Sequence, residues 1–364
     1  GNNRVAEAQP TVDMKGEAEI FSPQWVREYS GDNPGCELGR VSYTWRFSGF
    51  GSNINNLINA WVYAIVVEGW SDLAVLMDST QLPQLECSQE SEGLVSRGWS
   101  CLFSNIPHLC TFDTPEMWKQ HLNSTGVSAE DQEEADRLAV SLEVIRAEDI
   151  SASFEALNID QRGAKAVMAT FLWSSKTLWL RKDMHAVTHV RETFETSPFI
   201  GLHIRRGDKL RGRDIRFKHD VEDYLAEAVH YLEQEPNGSS VDAVKGIWVA
   251  SDATSVVSEV RALADAYFPS VLSEDIVFVA GGVPGGVQTE RMTTRSNKQG
   301  YGSFVYLLAD LEQLAAADVF VGTCSSNLGR LVMVLRDGLG KDKKSSISLD
   351  LPWYPKRQRS LALD

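Results

Sequence analysis

The sequence lacks several features that would place it in a special class. It has no run of about 18 apolar residues, the length of a membrane-spanning helix, since its longest run, at 57–67, is interrupted by Asn59. Residues 1–20 show no basic segment followed by an apolar one, so we expect no signal peptide there. Membrane attachment is therefore expected only through an anchor outside this sequence. The five cysteines have neither C-x-x-C nor zinc-finger spacing, and we expect disulfides or buried thiols, with at least one cysteine unpaired.

Positive charge is also scarce. The 364 residues include 35 basic and 50 acidic side chains, for a net charge of −15. Nucleic acids and anionic membranes require a net or locally dense positive surface, so neither is an expected partner. With 43% hydrophobic residues the composition is that of a globular protein, and the length suffices for two hydrophobic cores. An anionic ligand would need a local cluster of arginines.

The first half of the chain predicts a mixed α/β pattern. A strand that begins at Val41 is followed by a glycine turn, an apolar helix from near Ser52, and the short strand of SDLAVLMD. Glycine, serine and proline predict a long loop-rich segment over 79–115. The following sequence is helical in period, with an acidic segment at 127–150 and a pair of helices over 164–194.

The second half predicts a doubly wound parallel sheet, because short β-rich runs alternate with helical segments of about a dozen residues. The runs are nearly all apolar, which is typical of strands that helices cover on both faces. They lie at 199–205, 246–251, 275–280 and 318–323. Helices are predicted after a cap at Asp220, from Thr254 to Tyr267, and from Ser303.

These patterns predict an α/β fold of two Rossmann-like domains that meet near the ETSP segment at 195–198. The expected divisions are an irregular lead-in at 1–30, an N-terminal α/β domain at 31–196, a Rossmann-like domain at 197–355 and a tail at 356–364.

A cluster of charged residues directly follows the first strand of the second half. The segment HIRRGDK contains His203, Arg205 and Arg206, followed by Asp208 and Lys209. In doubly wound sheets ligands bind beyond the carboxyl ends of the strands, and an arginine there can hold a phosphate through two hydrogen bonds. The alternative is a surface ion-pair cluster that only ends the strand.

A glycine-rich segment, SGFGSN at 48–53, lies between the first strand and the first helix. Its backbone amides and the start of the helix can form an anion site that faces the arginines across a cleft. Taken alone, this segment is weak evidence for a ligand.

Together these segments resemble the fucosyltransferases that use GDP-fucose. The resemblance rests on GFG near the start of the first half, on HIRRGDK, IWVASD and LADLEQLAAADVFVGTCSSNLGR, and on the closing ISLDLPWYP. Their order and spacing are most similar to the α1,6-fucosyltransferases, which act on core N-glycans or on rhizobial chitooligosaccharides. The resemblance covers roughly residues 40–355. It implies a GT-B-like fold in which the second domain binds GDP-fucose and the N-terminal domain contributes the acceptor side. Related α1,2-fucosyltransferases and protein O-fucosyltransferases share the arginine motif, so the resemblance identifies the donor better than the acceptor.

The resemblance implies roles for the charged residues of the donor site. Arg205 would hold the β-phosphate of GDP, and His203 would lie beside the nucleotide, with Arg206 and Asp252 in the same site. Asp310 would bind guanine, whose N1–H and amino group a carboxylate can accept together. Without the resemblance, Asp310 would be interpreted as a solvated carboxylate on a helix.

The resemblance also implies that small residues lie near the phosphates of the donor. Ser326 matches a hydroxyl near the phosphates in the family, and Ser325 stands beside it in the same motif. Gly49 and Gly51 match backbone positions near the phosphates. The alternative for Ser326 is a helix N-cap without a ligand.

The implied reaction is an inverting transfer of fucose, in which GDP leaves while an acceptor hydroxyl attacks the opposite face of the sugar. The Asp-x-Asp triplet of many metal-dependent glycosyltransferases does not occur in the sequence, and a metal-free mechanism in which arginine stabilises the leaving diphosphate fits that observation. No metal or other cofactor is expected beside the donor substrate. His185 and His189, four residues apart, are interpreted as packing or surface residues.

The sequence departs from the α1,6 pattern at the general base. The related enzymes have a glutamate four residues beyond the lysine of the motif, where this chain has Arg213. Asp214 is the nearest carboxylate and is the candidate base, with Glu222 and Asp223 as alternatives. A second departure is SDA, in which Ala253 replaces one of two adjacent acids.

The sequence thus predicts a glycosyltransferase that moves fucose from GDP-fucose to a glycan or glycoprotein, in α1,6 linkage to GlcNAc. The alternatives are a protein O-fucosyltransferase, an α1,2-fucosyltransferase, and a protein that binds a GDP-sugar or glycan without catalysis. N-glycosylation tripeptides at Asn123 and Asn237 favour the secretory pathway, in the Golgi or the lumen of the endoplasmic reticulum, although such short patterns also arise by chance.

Overall fold

The computed structural model describes part of the chain, and every structural statement below refers to that part. The lead-in, both glycosylation tripeptides and the acidic segment at 127–150 lie outside the described residues. The described residues are 41–44, 50–66, 73–76, 86–89, 94–97, 101–103, 109–112, 160–174, 176–188, 194, 196–206, 218–234, 240–278 and 297–353.

The first half forms a small parallel sheet. Its order is β1 (Val41–Thr44), β2 (Leu73–Leu76) and β5 (Leu109–Phe112), and helix α1 (Phe50–Val66) follows β1. The chain segment that connects β2 to β5 contains a separate antiparallel pair, β3 (Glu86–Gln89) and β4 (Leu94–Arg97).

The prediction of a loop-rich segment over 79–115 is therefore wrong, because three of these strands lie within it. Each of the three is only four residues long and contains polar residues, as in ECSQ and LCTF. Runs this short show no clear alternation of apolar and polar positions, and the surrounding glycine, serine and proline residues hide them.

The second half forms a five-stranded parallel sheet in the order β10-β9-β6-β7-β8. The strands are β6 (Phe199–Ile204), β7 (Gly246–Ser251), β8 (Ile276–Val277), β9 (Val319–Gly322) and β10 (Ser346–Ser348). From β6 the chain first adds strands on one side and then on the other, which confirms the doubly wound parallel sheet. The sequence missed β10, because SIS is short and largely polar.

The described helices agree with the predicted α/β alternation. The pair expected over 164–194 is present, and helix α6 begins several residues before the predicted Ser303. The helices are α2 (Gln161–Ser174), α3 (Leu178–Thr188), α4 (Val221–Gln234), α5 (Ser255–Tyr267), α6 (Asn297–Ala316) and α7 (Asn327–Gly338). None of the described helices is long and apolar enough to cross a membrane.

Helices cover both faces of the five-stranded sheet. Helices α4 and α5 pack on one face, over apolar residues such as Leu202 and Val249. Helices α6 and α7 cover the other face, over Trp248 and Phe320, and α1, α2 and α3 join the same core. Helices from the first half of the chain thus pack directly against the elements that carry the second sheet. The divisions at 1–30, 31–196, 197–355 and 356–364 stay a prediction.

The cysteines differ in their chemistry. Cys101 is buried and disulfide-bonded, whereas Cys324 is a buried free thiol. At least one unpaired cysteine was expected from the odd count, and Cys324 confirms this.

Candidate functional site

The strand order produces a crevice between β6 and β9. These neighbouring parallel strands end at the same edge of the sheet, and their following helices, α4 and α7, pack on opposite faces. Ligands bind in doubly wound sheets where the connections diverge in this way. Arg205 and Arg206 follow β6, and Ser325 and Ser326 follow β9. The topology therefore brings these two pairs to one edge.

His203 lies near the carboxyl end of β6 and is only 6% exposed. Burial, and next the positive charge of Arg205, lower the pKa of His203 to about 4, so the imidazole is neutral at pH 7. Its Nδ1 is buried and has no hydrogen-bond partner among the residues that the structure describes. A buried polar atom without a partner is uncommon in proteins and is expected where a ligand completes the bonding.

Asp252 orders the turn that carries the two arginines. The register pairs Ile204 of β6 with Ser251 of β7, so the residues that follow these strands are neighbours. The Asp252 carboxylate accepts a hydrogen bond from the backbone N–H of Arg206 at 2.7 Å, and its other oxygen lies 3.9 Å from Nε of Arg205. Asp252 thereby fixes the backbone next to Arg205 and neutralises part of its charge.

The two arginines have different surroundings. The guanidinium of Arg206 donates to the Glu259 carboxylate of α5 at 3.3 Å and lies 3.8 Å from a carboxylate oxygen of Asp220, before α4. Two acids already balance its charge, so the structure places Arg206 as a link to α4 and α5. The Arg205 side chain is 28% exposed at the edge of the sheet, whereas that of Arg206 is 11% exposed.

Ser326 stands at the N-cap of α7 with an extended backbone, but its side chain makes no capping hydrogen bond. Its Oγ is buried and has no partner within the described part of the chain, and the residue is 4% exposed. The first N–H groups of a helix lack intrahelical partners and carry partial positive charge. A buried hydroxyl beside such a helix start is suited to bind an anion.

Ser325 is held through its backbone. Its N–H lies 3.3 Å from an Asp350 carboxylate oxygen, and the other oxygen of that carboxylate accepts from the N–H of Cys324 at 2.8 Å. Ser348 of β10 binds both the Cys324 N–H, at 2.9 Å, and Asp350, at 3.1 Å. The turn after β9 is therefore fixed by the segment that follows β10.

Gly51 lies in the first turn of α1, against the first turn of α7. A Cβ atom at this position would lie 2.8 Å from Cδ2 of Leu328 and 3.1 Å from its backbone nitrogen. The close approach of the two helix starts therefore depends on glycine. Gly49, the other predicted glycine, lies outside the described residues.

Asp310 lies on α6 and is half-buried. Its carboxylate accepts a hydrogen bond of 3.0 Å from the indole N–H of Trp248 on β7. Burial raises the pKa of Asp310 to about 8, although the bond from Trp248 acts in the opposite direction. Asp310 is thus not a solvated carboxylate, and its remaining oxygen is chemically able to accept from a ligand N–H.

Three carboxylates are candidates for the general base. Asp214 lies outside the described residues. Glu222 is exposed on α4 and accepts a hydrogen bond of 2.9 Å from the Tyr267 hydroxyl. Asp223 accepts from the backbone N–H of Asp220 at 2.9 Å. Both alternatives therefore take part in bonds that hold the start of α4.

Several residues at this edge were missed by sequence reasoning. Asn55 of α1, Asn327 and Arg330 of α7, and Asp350 all bond to the elements that carry the serine turn. A signal was present for Asn55, which is a polar residue within an apolar helix. His185, interpreted as a packing or surface residue, is exposed on α3, while His189 lies outside the described residues.

No group of three histidine, cysteine, aspartate or glutamate side chains that could hold a metal occurs among the described residues. The candidate site therefore has an arginine at the end of β6 and a hydroxyl and a helix start after β9 at one edge of the sheet. The half-buried carboxyl group of Asp310 lies on α6, against Trp248 of β7.

The family model described as alpha-(1,6)-fucosyltransferase N- and catalytic domains matches residues 167–354, which include both strand ends of the candidate site. No curated protein sequence matches the chain.

Several solved structures are similar in fold. NodZ alpha-1,6-fucosyltransferase soaked with GDP-fucose has 15% sequence identity, covers 81% of this chain and 91% of its own, and gives a TM-score of 0.43. POFUT1 in complex with GDP-fucose has 10% identity, covers 86% and 98%, and also gives 0.43. Arabidopsis thaliana FUT1 in complex with GDP has 13% identity, covers 86% and 72%, and gives 0.43.

Proposed function

Because the chain belongs to the family of alpha-(1,6)-fucosyltransferase N- and catalytic domains, we propose that this fucosyltransferase transfers fucose from GDP-fucose to a hydroxyl group of a glycan. The observation that carries the proposal is the shared edge where β6 and β9 end, with Arg205 after β6 and, after β9, the buried Oγ of Ser326, which has no hydrogen-bond partner among the described residues. A diphosphate supplies the negative charge and the hydrogen-bond acceptors that suit these groups.

The diphosphate of GDP is the leaving group, and its charge grows as the bond from fucose breaks. A guanidinium can bind two phosphate oxygens at once, while the N–H groups at the starts of α7 and α1 add partial positive charge. We assign Arg205, the Ser326 hydroxyl and the backbone of Gly51 to this task. Ser325 belongs to the same proposal through its side chain, because its backbone N–H faces the Asp350 carboxylate. We propose that the backbone of Gly49 also lies near the phosphates.

Guanine recognition is assigned to Asp310 and His203. An ionised Asp310 accepts from N1–H and the amino group of guanine, which distinguishes guanine from adenine. The bond from Trp248 orients the carboxylate. His203, neutral at pH 7, offers its ring and Nδ1 to the nucleotide. Asp252 and Arg206 stabilise the turn rather than the ligand.

The reaction balances as a single displacement. The bond from the anomeric carbon to the phosphate oxygen breaks as the acceptor oxygen bonds the opposite face of that carbon, which inverts its configuration. The electron pair of the broken bond stays on GDP, where Arg205 stabilises it. The acceptor proton passes to a carboxylate, for which we propose Asp214. Charge stabilisation by arginine and helix starts does not require a metal.

We propose α1,6 linkage to GlcNAc in a glycan or glycoprotein, within the secretory pathway. The family match favours this linkage over α1,2 transfer or protein O-fucosylation. The half-buried Ala253, in place of a second acid, changes the surface near the acceptor and leaves room for a different glycan. A non-catalytic protein would bind GDP and GDP-fucose but would not cleave GDP-fucose to GDP.

The test replaces Arg205 by alanine. We expect kcat to fall about a hundredfold to a thousandfold, or about 3–4 kcal/mol of transition-state stabilisation, because one preorganised donor to the leaving group is lost. GDP release from GDP-fucose is measured with N-glycan, chitooligosaccharide and peptide acceptors. Arg181→Ala, on the exposed side of α3, is the matched control and should be unaffected. Wild-type turnover by a folded Arg205→Ala variant would contradict the mechanism.

A further inference from the structure

The first turns of α1 and α7 are in contact, although the two helices follow strands of different sheets. Gly51 of α1 lies against Leu328 of α7, with no space for a side chain between them. The N-terminal ends of both helices carry partial positive charge, which makes their approach unfavourable unless something else holds them together. An anion bound beside both helix starts removes this cost only while it is present.

Asn55 supplies a contact that holds the two helix starts together without an anion. Its side-chain amide donates one hydrogen bond to the carbonyl oxygen of Gly51 at 2.7 Å and another to that of Asn327 at 2.8 Å. The first acceptor is in the same helix and the second is 272 residues away in sequence. One side chain thus joins the glycine turn of α1 to the start of α7.

The second acceptor is itself fixed from the other side. Arg330, one turn further along α7, donates to the Asn327 side-chain oxygen at 2.6 Å. Both oxygens of Asn327 are therefore bound, one by Asn55 and one by Arg330. Because Asn327 directly follows Ser326, these bonds restrict the direction in which the Ser326 Oγ can point.

We propose that Asn55 is a positioning residue for donor binding, which sets the spacing between the glycine turn and the serine turn so that both face one diphosphate. The inference rests on the proposed function, since it assumes that both turns face one diphosphate. Asn55 does not touch the reacting atoms in this proposal. It acts through Gly51 and Asn327.

The test compares Asn55→Ala and Asn55→Asp with Asn56→Ala. Aspartate has nearly the shape of asparagine, but its carboxylate cannot donate to the two carbonyls and adds a negative charge beside the anion site. The neutral Asn55→Ala variant therefore measures the loss of the two hydrogen bonds, and Asn55→Asp adds the effect of charge repulsion. GDP affinity is measured by titration calorimetry well below the unfolding temperature of each variant. We expect the Kd for GDP to rise about fivefold to tenfold for Asn55→Ala, and further for Asn55→Asp. Asn56→Ala, a half-buried neighbour on the same helix, should keep the wild-type Kd.

A purely structural role predicts a different result. In that case Asn55→Asp lowers the unfolding temperature but binds GDP with the wild-type Kd while folded, and this outcome overturns the inference. Because Asn55 acts on the donor site in this proposal, the KM for the acceptor should not change. If neither Asn55 variant folds, Gly51→Ala tests the same spacing by pressing on Leu328, and an unchanged Kd in that variant overturns the inference.

The inference and the proposed function fail in different ways. Wild-type protein that binds GDP and transfers fucose while both Asn55 variants bind GDP equally well leaves the function in place and removes only the role of Asn55. Wild-type protein that neither binds GDP nor releases it from GDP-fucose overturns the proposed function, and the inference with it.

Discussion

The two ends of α7 differ in whether their buried polar groups are hydrogen-bonded. At the C-terminal end, Arg336 is fully buried and its guanidinium binds carbonyl and hydroxyl oxygens on all sides. At the N-terminal end, Oγ of Ser326 and Nε of Arg330 are buried without a partner in the described part of the chain. The oxygens around Arg336 belong to Leu314, Ala315, Ala317, Asp318, Ser345 and Ser346.

The difference distinguishes a stabilising contact from a binding site on one helix. Arg336 caps the carbonyl end of α6 and joins it to α7, and although burial lowers its pKa to about 10, it stays charged at pH 7. Unbonded groups at the other end cost folding free energy. Sequences retain such groups where a ligand completes their bonding.

The largest expected effect is on stability, from Arg336→Met. This change leaves several buried carbonyl oxygens without a donor, and we expect the free energy of unfolding to fall by about 3–5 kcal/mol. Urea unfolding measures it, with the exposed Arg181→Met as the matched control. The Kd for GDP should be unchanged in the fraction that stays folded. A loss below about 1 kcal/mol would show that the C-terminal end is not a main stabilising contact.

The second effect is a pH dependence at Asp310. Only the carboxylate accepts both guanine donors, and the pKa of Asp310 is raised to about 8, so GDP affinity should increase as pH rises from about 6 to 8, by up to about tenfold per unit. The same raised pKa favours folding at low pH, and its contribution to stability is lost as pH rises from about 4 through 8. Calorimetry across this range tests whether GDP affinity rises with pH, and urea unfolding tests whether the contribution of Asp310 to stability falls with pH. Asp310→Asn should remove both dependences, and a GDP affinity that is flat with pH in the wild-type chain would contradict the assignment.

Much of the fold could be predicted from the sequence. The strands β6, β7 and β9 are apolar runs, because helices cover both of their faces, and this makes them visible without a structure. β10 could not be found in this way, since Ser346–Ser348 is short and lies at the edge of the sheet. The strands within 79–115 were missed because they too are short and partly polar.

Less of the site could be predicted. The motif residues Arg205, Asp310 and Ser326 stand out by resemblance, but their partners do not. The bond from Asn55 to Asn327 joins positions 272 residues apart, and nothing in either local sequence specifies it. Arg336 looks like an ordinary surface charge, because its burial depends on how α6 and α7 pack.

The most direct test of the account is a paired measurement on Ser326→Ala, with the exposed Ser258→Ala of α5 as control. We expect the Kd for GDP to rise about tenfold to a hundredfold, as for the loss of one hydrogen bond to a charged group. The free energy of unfolding without ligand should stay the same or rise by up to about 1–3 kcal/mol, because the hydroxyl has no partner to lose within the described residues and its burial without a partner carries a cost. Unchanged GDP affinity together with a marked loss of stability would contradict the account, since it would make the N-terminal end of α7 a structural contact like the C-terminal end.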